Sequence, residues 1–267
     1  MTPPKKLTSQ SIVALKQGAQ KIVAITAYDY TFAKLVDELV DIVLVGDSLG
    51  MVIQGDCNTL SVTLEDVIYH CRAVSRAISH AHLVADMPFM TYQTGAGDAI
   101  RNAGRLLASG KAEAVKLEGG VAVCKIVEQM VQFGIPVMGH VGLTPQSVHA
   151  FGGYKIQGRD ERARNSILQD AIALEEAGVY AMVLEGMPTE LAKAITERIS
   201  VPTIGIGAGV FCDGQVLVSQ DLLGMSPDFQ PRFVKKYANF AETVKSAVGQ
   251  FAEEVRSGMF PDEQHSF

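Results

Sequence analysis

Five ionisable side chains stand where short apolar runs of this sequence end: Asp47 after IVLVG, Asp86 after LVA, Glu118 after AVKL, His140 after PVMG and Glu185 after MVL. Asp47, Asp86 and Glu118 come from successive runs. Three carboxylates brought together raise one another's pKa unless a cation intervenes. An all-oxygen ligand set suits a hard divalent ion, magnesium rather than zinc. Lys116, two residues before Glu118, offers a metal-free alternative in which it pairs with Glu118 and neutralises the cluster. Lys116 also reads as a clamp for a substrate carboxylate, or as a Schiff-base lysine if desolvated. Glu185, apart from the other acids in sequence, is the candidate general base, since it can hold a different pKa and role. His140 reads as a proton shuttle, a substrate donor or a satisfied buried histidine. Ser48 is small enough to donate to an acid group, though on type and place alone it reads as a helix N-cap.

These residues need elements that bring them to one place. Apolar, β-rich runs at 21–28, 41–47, 83–89, 114–118, 135–141, 180–184, 203–206 and 215–218 alternate with helical patterns. Most are apolar at successive positions, as in strands buried on both faces of a parallel sheet. Thr63 reads as the N-cap of a helix carrying Val67, Ile68, Cys71, Val74 and Ile78, and Thr189 as the cap of a helix over 190–199. Eight strands in βαβ units make a (β/α)8 TIM barrel the first expectation and an open doubly wound sheet the second. In a barrel the five ionisable residues converge on the mouth at the C-terminal strand ends. His80 and His82 fall at a strand entry, the opposite end, and read as structural. The glycine run 205–209 reads either as a phosphate cradle or as close packing at the rim. The segment 142–159 is the longest loop, a length that marks lids and binding loops. A helix is expected over 232–254, followed by a polar tail.

The 267 residues, 48% hydrophobic and 19% charged, exclude a disordered chain or a small cystine scaffold. A single barrel domain over 1–267 is expected, with a short N-terminal extension and a C-terminal helix and tail. With 23 basic against 29 acidic residues and no basic run beyond Lys5-Lys6 and Lys235-Lys236, no nucleic-acid partner is expected. Cys57, Cys71, Cys124 and Cys212 form no CxxC pair, so reduced thiols are expected. The start MTPPKKLTSQ lacks the apolar core of a signal peptide. The most apolar stretch, 35–53, is cut by four acids and cannot span a bilayer. A soluble, cytoplasmic protein is expected, with no membrane partner.

The segments ITAYDY (25–30), LVGDSLGMVIQG (44–55), ADMPFMTY (85–92), VKLEGG (115–120), GHVGLTPQSVHAFGGYKIQGR (139–159) and IGIGAG with DGQVLV (204–218) closely resemble the ketopantoate hydroxymethyltransferase family. The resemblance runs from about Lys21 to the end of the chain. It implies a (β/α)8 barrel of the phosphoenolpyruvate/pyruvate type that binds Mg2+. It assigns Asp47 and Asp86 to the metal and its bound substrate, with Glu118 assisting through water. Ser48 and Lys116 would hold the oxo acid, Glu185 would be the base, and Tyr28 and His140 would lie near the substrate. The implied substrates are 3-methyl-2-oxobutanoate and 5,10-methylenetetrahydrofolate, and the implied assembly is a homodecamer. The rival readings are a lyase or aldolase for 2-oxo acids on the same barrel, separable by folate dependence, and a noncatalytic barrel that binds a small acid.

Overall fold

The computed structural model describes residues 5–226 and 231–267; Met1 to Pro4 of the amino-terminal extension lie outside the described residues. The chain divides into two compact units, Met1–Val218 and Ser219–Phe267. In the first, eight parallel strands close into a barrel in chain order. They are β1 (Ile22–Thr26), β2 (Ile42–Val45), β3 (His82–Asp86), β4 (Ala114–Lys116), β5 (Val137–Gly142), β6 (Ala181–Glu185), β7 (Thr203–Ile206) and β8 (Gly214–Leu217). β1 pairs with both β2 and β8, so no edge strand remains and the open-sheet alternative is excluded. The expected strands overlap all eight, with ends moved by up to three residues.

The pleat sorts the side chains. Ile22 and Ala24, Ile42 and Leu44, Val84, Ala114, Met138, Ala181 and Val183, Ile204 and Val216 fill the barrel interior. Outward residues such as Val43, Leu83, Val115 and Leu184 pack with the helices in a second, larger core. The amino-terminal helix Ser9–Gln17 adds Ile12 to the interior cluster. Continuing the interior stripe by two residues along each strand leads from Val84 to Asp86, Ala114 to Lys116, Met138 to His140 and Val183 to Glu185. The apolar filling therefore gives way to a polar layer at the strands' C-terminal ends.

Thr63 does cap Leu64–Ser75, in a reciprocal capping box with Asp66. Thr189 instead is the first residue of Thr189–Arg198, with Pro188 at the N-cap. The segment 142–159 is not plain loop: it holds a 3-10 turn, Pro145–Ser147, and a short helix, Val148–Phe151. In the second unit the long helix is Phe240–Ser257, not 232–254. Its start is displaced because the Tyr237 and Phe240 backbone N–H groups donate to the Leu222 and Leu223 carbonyls, which holds the preceding segment out of helical geometry. Left-handed Gly258 ends the helix. All four cysteines are free. Among the described residues no helix is long and apolar enough to cross a membrane.

Candidate active site at the barrel mouth

Asp86 closes β3 and Lys116 closes β4, and the two are direct partners in the parallel register. Their side chains meet as an ion pair at 2.8 Å between Lys116 Nζ and Asp86 Oδ1. Lys116 therefore pairs with Asp86 rather than with the expected Glu118. Asp47 sits just beyond β2 and donates its backbone N–H to Asp86 Oδ2 at 3.0 Å. Glu118 lies two residues past β4, where Gly119 N–H donates to the His140 carbonyl and ties the turn to β5. Asp47, Asp86, Lys116, Glu118 and His140 are all 6% exposed or less.

Burial and the Asp86 charge push the Asp47 carboxyl up to about 7. Burial, then the charge of Asp47, also pushes Glu118 well above the usual carboxylate range. Burial works against the Lys116 ammonium, but Asp86, Glu118 and Asp47 outweigh it and raise its pKa. The neighbouring acids favour the protonated amine, whereas a Schiff base requires the free one, so the surroundings favour the clamp reading of Lys116. Nor does one ammonium balance three buried carboxylates. Two negative charges remain, and they must take up protons or a divalent cation. Asp86 Oδ1 receives no aligned hydrogen bond from any described residue. The donor set thus fits a hard cation in its chemistry. Among the described residues no three such side chains form a complete metal cage. An ion there would fill its shell with water and substrate oxygens, as magnesium usually does.

His140 lies between the two halves of the mouth. Its Nδ1 is 3.4 Å from Lys116 Nζ, and its Nε2 is 3.2 Å from Glu185 Oε2. Burial and the Lys116 charge lower its pKa, so the ring is neutral. An ammonium can only donate, which assigns Nδ1 as acceptor and places the ring proton on Nε2, facing Glu185. Glu185 closes β6, and its side chain, 18% exposed, is more open than the acids across the mouth. Ser48 starts a short helix, Leu49–Val52, but makes no cap; its hydroxyl instead lies 2.8 Å from that of Tyr28. Tyr28 is buried just beyond β1, and its phenol pKa is raised mainly by that burial.

The sequence reading missed Gln146. It is buried in the turn Pro145–Ser147 and joins the two sides of the acid cluster. Its Nε2 donates to Asp47 Oδ2 at 2.8 Å and to the Met87 carbonyl at 3.0 Å. Its backbone N–H donates to Glu118 Oε2 at 3.0 Å, and its Oε1 is 2.8 Å from the buried Tyr92 hydroxyl. Its sequence signals were its place in a long loop beside a strand end and inside the 139–159 segment that carries the family resemblance. The glycine run 205–209 shows a packing role: a Cβ on Gly209 would come within 2.5 Å of the Thr189 side chain. His82 is buried at the start of β3, 3.1 Å from the Tyr180 hydroxyl, and His80 bonds the Lys5 carbonyl, both as structural residues.

A family model described as ketopantoate hydroxymethyltransferase matches residues 6–263. The chain belongs to the ketopantoate hydroxymethyltransferase family. Among its relatives is the 3-methyl-2-oxobutanoate hydroxymethyltransferase of Clostridium kluyveri, 55% identical over 96% of this chain and 92% of that protein. The Pelobacter propionicus enzyme of the same name is 53% identical over 98% of each chain. Solved structures share the barrel of this hydroxymethyltransferase family member at low identity. A phosphonopyruvate hydrolase complex with oxalate and Mg++ superposes with a TM-score of 0.62 at 14% identity, over 97% of this chain and 93% of that one. A 2,3-dimethylmalate lyase of the PEP mutase/isocitrate lyase superfamily gives 0.62 at 16% identity, over 97% and 89%. At such identities the likeness shows the fold alone.

Proposed function

We propose that this chain transfers a hydroxymethyl group from 5,10-methylenetetrahydrofolate to 3-methyl-2-oxobutanoate, forming 2-dehydropantoate for pantothenate biosynthesis. The observation that carries the mechanism is the division of the mouth into a buried acid cluster with one lysine and a more open glutamate facing a neutral histidine. Asp47 and Asp86 would hold Mg2+, with Glu118 reaching it through water. When bound, the ion supplies a Lewis acid for negative charge developing on the keto oxygen. Lys116 and Ser48 then bind the oxo acid, the lysine by charge and the serine by its hydroxyl. Tyr28 fixes the serine through the 2.8 Å contact between their hydroxyl oxygens.

Glu185 removes the proton from C3 of the oxo acid. His140 Nε2, 3.2 Å from Glu185 Oε2, would align with that carboxylate, and Lys116 keeps the histidine in the required tautomer. The carbanionic C3 attacks the methylene carbon of the opened, iminium form of the folate. One water supplies the hydroxyl, the carbon–nitrogen bond breaks and tetrahydrofolate leaves.

Glu185→Gln keeps the shape and removes the base. It is expected to abolish hydrogen–deuterium exchange at C3, read by NMR, while calorimetry shows oxo-acid binding largely retained. Undiminished exchange in this variant contradicts the assignment. Exchange in the wild type without folate-dependent product indicates a lyase or aldolase instead.

A further inference from the structure

The mouth residues named above are assigned to the oxo acid and the metal, and none of them to the ring system of the second substrate. Beside the mouth lies a cavity of about 250 Å3 whose wall includes Thr144, Phe151, Gln157 and Asp170, with Ala163 on the same helix as Asp170, Glu161–Glu176. The wall is continuous in the chain with the site. It includes Gly119, the residue after Glu118, and Gly142, which pairs in register with Glu185. We propose that this cavity receives the pterin ring of the folate co-substrate, an inference that rests on the hydroxymethyltransferase reading above.

Size and chemistry both select the ring. Sites that enclose a whole drug-sized ligand span roughly 300–1,000 Å3. A smaller cavity takes one fused bicycle and leaves the aminobenzoyl-glutamate tail outside. The aminopyrimidinone edge of a pterin presents two adjacent N–H donors, which match the two oxygens of a carboxylate. Asp170 is the one acidic residue of the cavity wall among the described residues. It is held in place, since its Oδ1 accepts the Val121 backbone N–H at 2.9 Å. Gly120 permits this close approach, because a Cβ there would collide with the Asp170 carboxylate. Thr144 and Gln157 add hydroxyl and amide groups for the remaining ring nitrogens and the carbonyl, and the Phe151 ring offers an apolar face. Where the wall adjoins Glu118 in the chain and Glu185 across the strand pair it is built from glycines. Gly119 and Gly142 take φ of +125° and +95°, conformations that favour glycine, and neither adds a side chain of its own there.

Two variants test the assignment in the full-length protein. Ala163→Phe fills the cavity from the helix side, and Asp170→Asn keeps an oxygen for the Val121 N–H while removing the carboxylate. Magnesium-dependent exchange at C3 of 3-methyl-2-oxobutanoate needs no folate and serves as the internal control for folding and for the oxo-acid site. Both variants are expected to hold exchange within about twofold of wild type while KM for methylenetetrahydrofolate rises about tenfold or more, the scale of losing a charged hydrogen bond. The Kd for tetrahydrofolate, measured by calorimetry, should rise in parallel. Wild-type folate KM and Kd in both variants overturn the cavity assignment and leave the functional reading intact. So does a loss of exchange equal to the loss of transfer, which would place the cavity on the oxo-acid side. Failure of the functional reading has its own signature, a folded wild-type protein with neither exchange nor transfer.

Discussion

At the scale of single residues, the mouth is governed by how few cations face its buried acids. Asp47, Asp86 and Glu118 share one ammonium, Lys116, and Gln146 spends both its amide and its backbone N–H on the two outer acids. Gln146→Leu keeps the volume and removes the side-chain donors. Groups that orient metal ligands typically account for about 10–100-fold in metal affinity. Calorimetry on this variant is expected to show Mg2+ binding weakened by about that factor, together with lower thermal stability from the unsatisfied Tyr92 and Met87 partners. Unchanged Mg2+ affinity with lowered stability would make Gln146 purely structural. The ionisable residues of the mouth were legible in the sequence because a charge that ends an apolar run has no place in a core. Gln146 was not, because a neutral amide in a polar loop carries no such conflict. The partner of Lys116 was equally hidden. It depends on the pairing of β3 with β4, and register across strands is not written in either strand alone.

At the scale of elements, most strands could be read from their apolar runs because both faces are covered, although β1 and β8 each expose one residue, Val23 and Gln215. The strand ends were less legible, since a terminal residue is fixed by which neighbour it pairs with. The C-terminal helix shows the same limit: its composition suited a helix from 232, but backbone pairing to Leu222 and Leu223 set the start at Phe240. The end of β5 offers a test of how strands place chemistry. Gly142 has φ +95°, and a Cβ there would collide with the Glu185 carbonyl oxygen and lie 2.7 Å from the Met187 methyl. Gly142→Ala is expected to push the ends of β5 and β6 apart and displace Glu185. C3 exchange should fall by about tenfold or more, more steeply than oxo-acid affinity, as expected when a base is misplaced by a fraction of an ångström. By contrast, Thr63→Ala removes an exposed capping box that Thr63 shares with Asp66. It should cost about 1 kcal/mol of stability in denaturant titration and leave exchange unchanged. An equal loss of exchange and affinity in Gly142→Ala would contradict the positioning role of the strand ends.

At the scale of the whole molecule, the acid cluster makes stability depend jointly on pH and metal. Burial and mutual repulsion raise the pKa of Asp47 to about 7 and that of Glu118 above its usual range. In the unfolded chain both titrate near 4. As pH rises from about 4 through 7, the unfolded state therefore releases protons that the native state still holds, and native stability falls across that window. An ion that binds the deprotonated acids offsets this loss. The increase in Tm on adding Mg2+ is expected to be larger at pH 8 than at pH 5.5, and an equal increase at both would contradict the charge argument. The second unit bears on assembly. Phe240, Val244, Val248, Phe251 and Val255 recur at helical spacing along Phe240–Ser257, and all are exposed. An exposed apolar stripe of that length supports the homo-oligomer implied by the family resemblance. Light scattering is expected to give a particle of ten 28.6 kDa chains, and a monomer would contradict it.

The central claim is that Glu185 and the acid cluster at the mouth activate C3 of an oxo acid for attack on a folate-borne carbon. The most direct measurement follows hydrogen–deuterium exchange at C3 of 3-methyl-2-oxobutanoate by NMR, with and without Mg2+, before and after addition of methylenetetrahydrofolate. The expected result is exchange that requires Mg2+ and proceeds without folate, then 2-dehydropantoate once the folate is present. A folded protein saturated with oxo acid and Mg2+ that yields neither exchange nor product would contradict the account and leave a barrel that only binds its ligand.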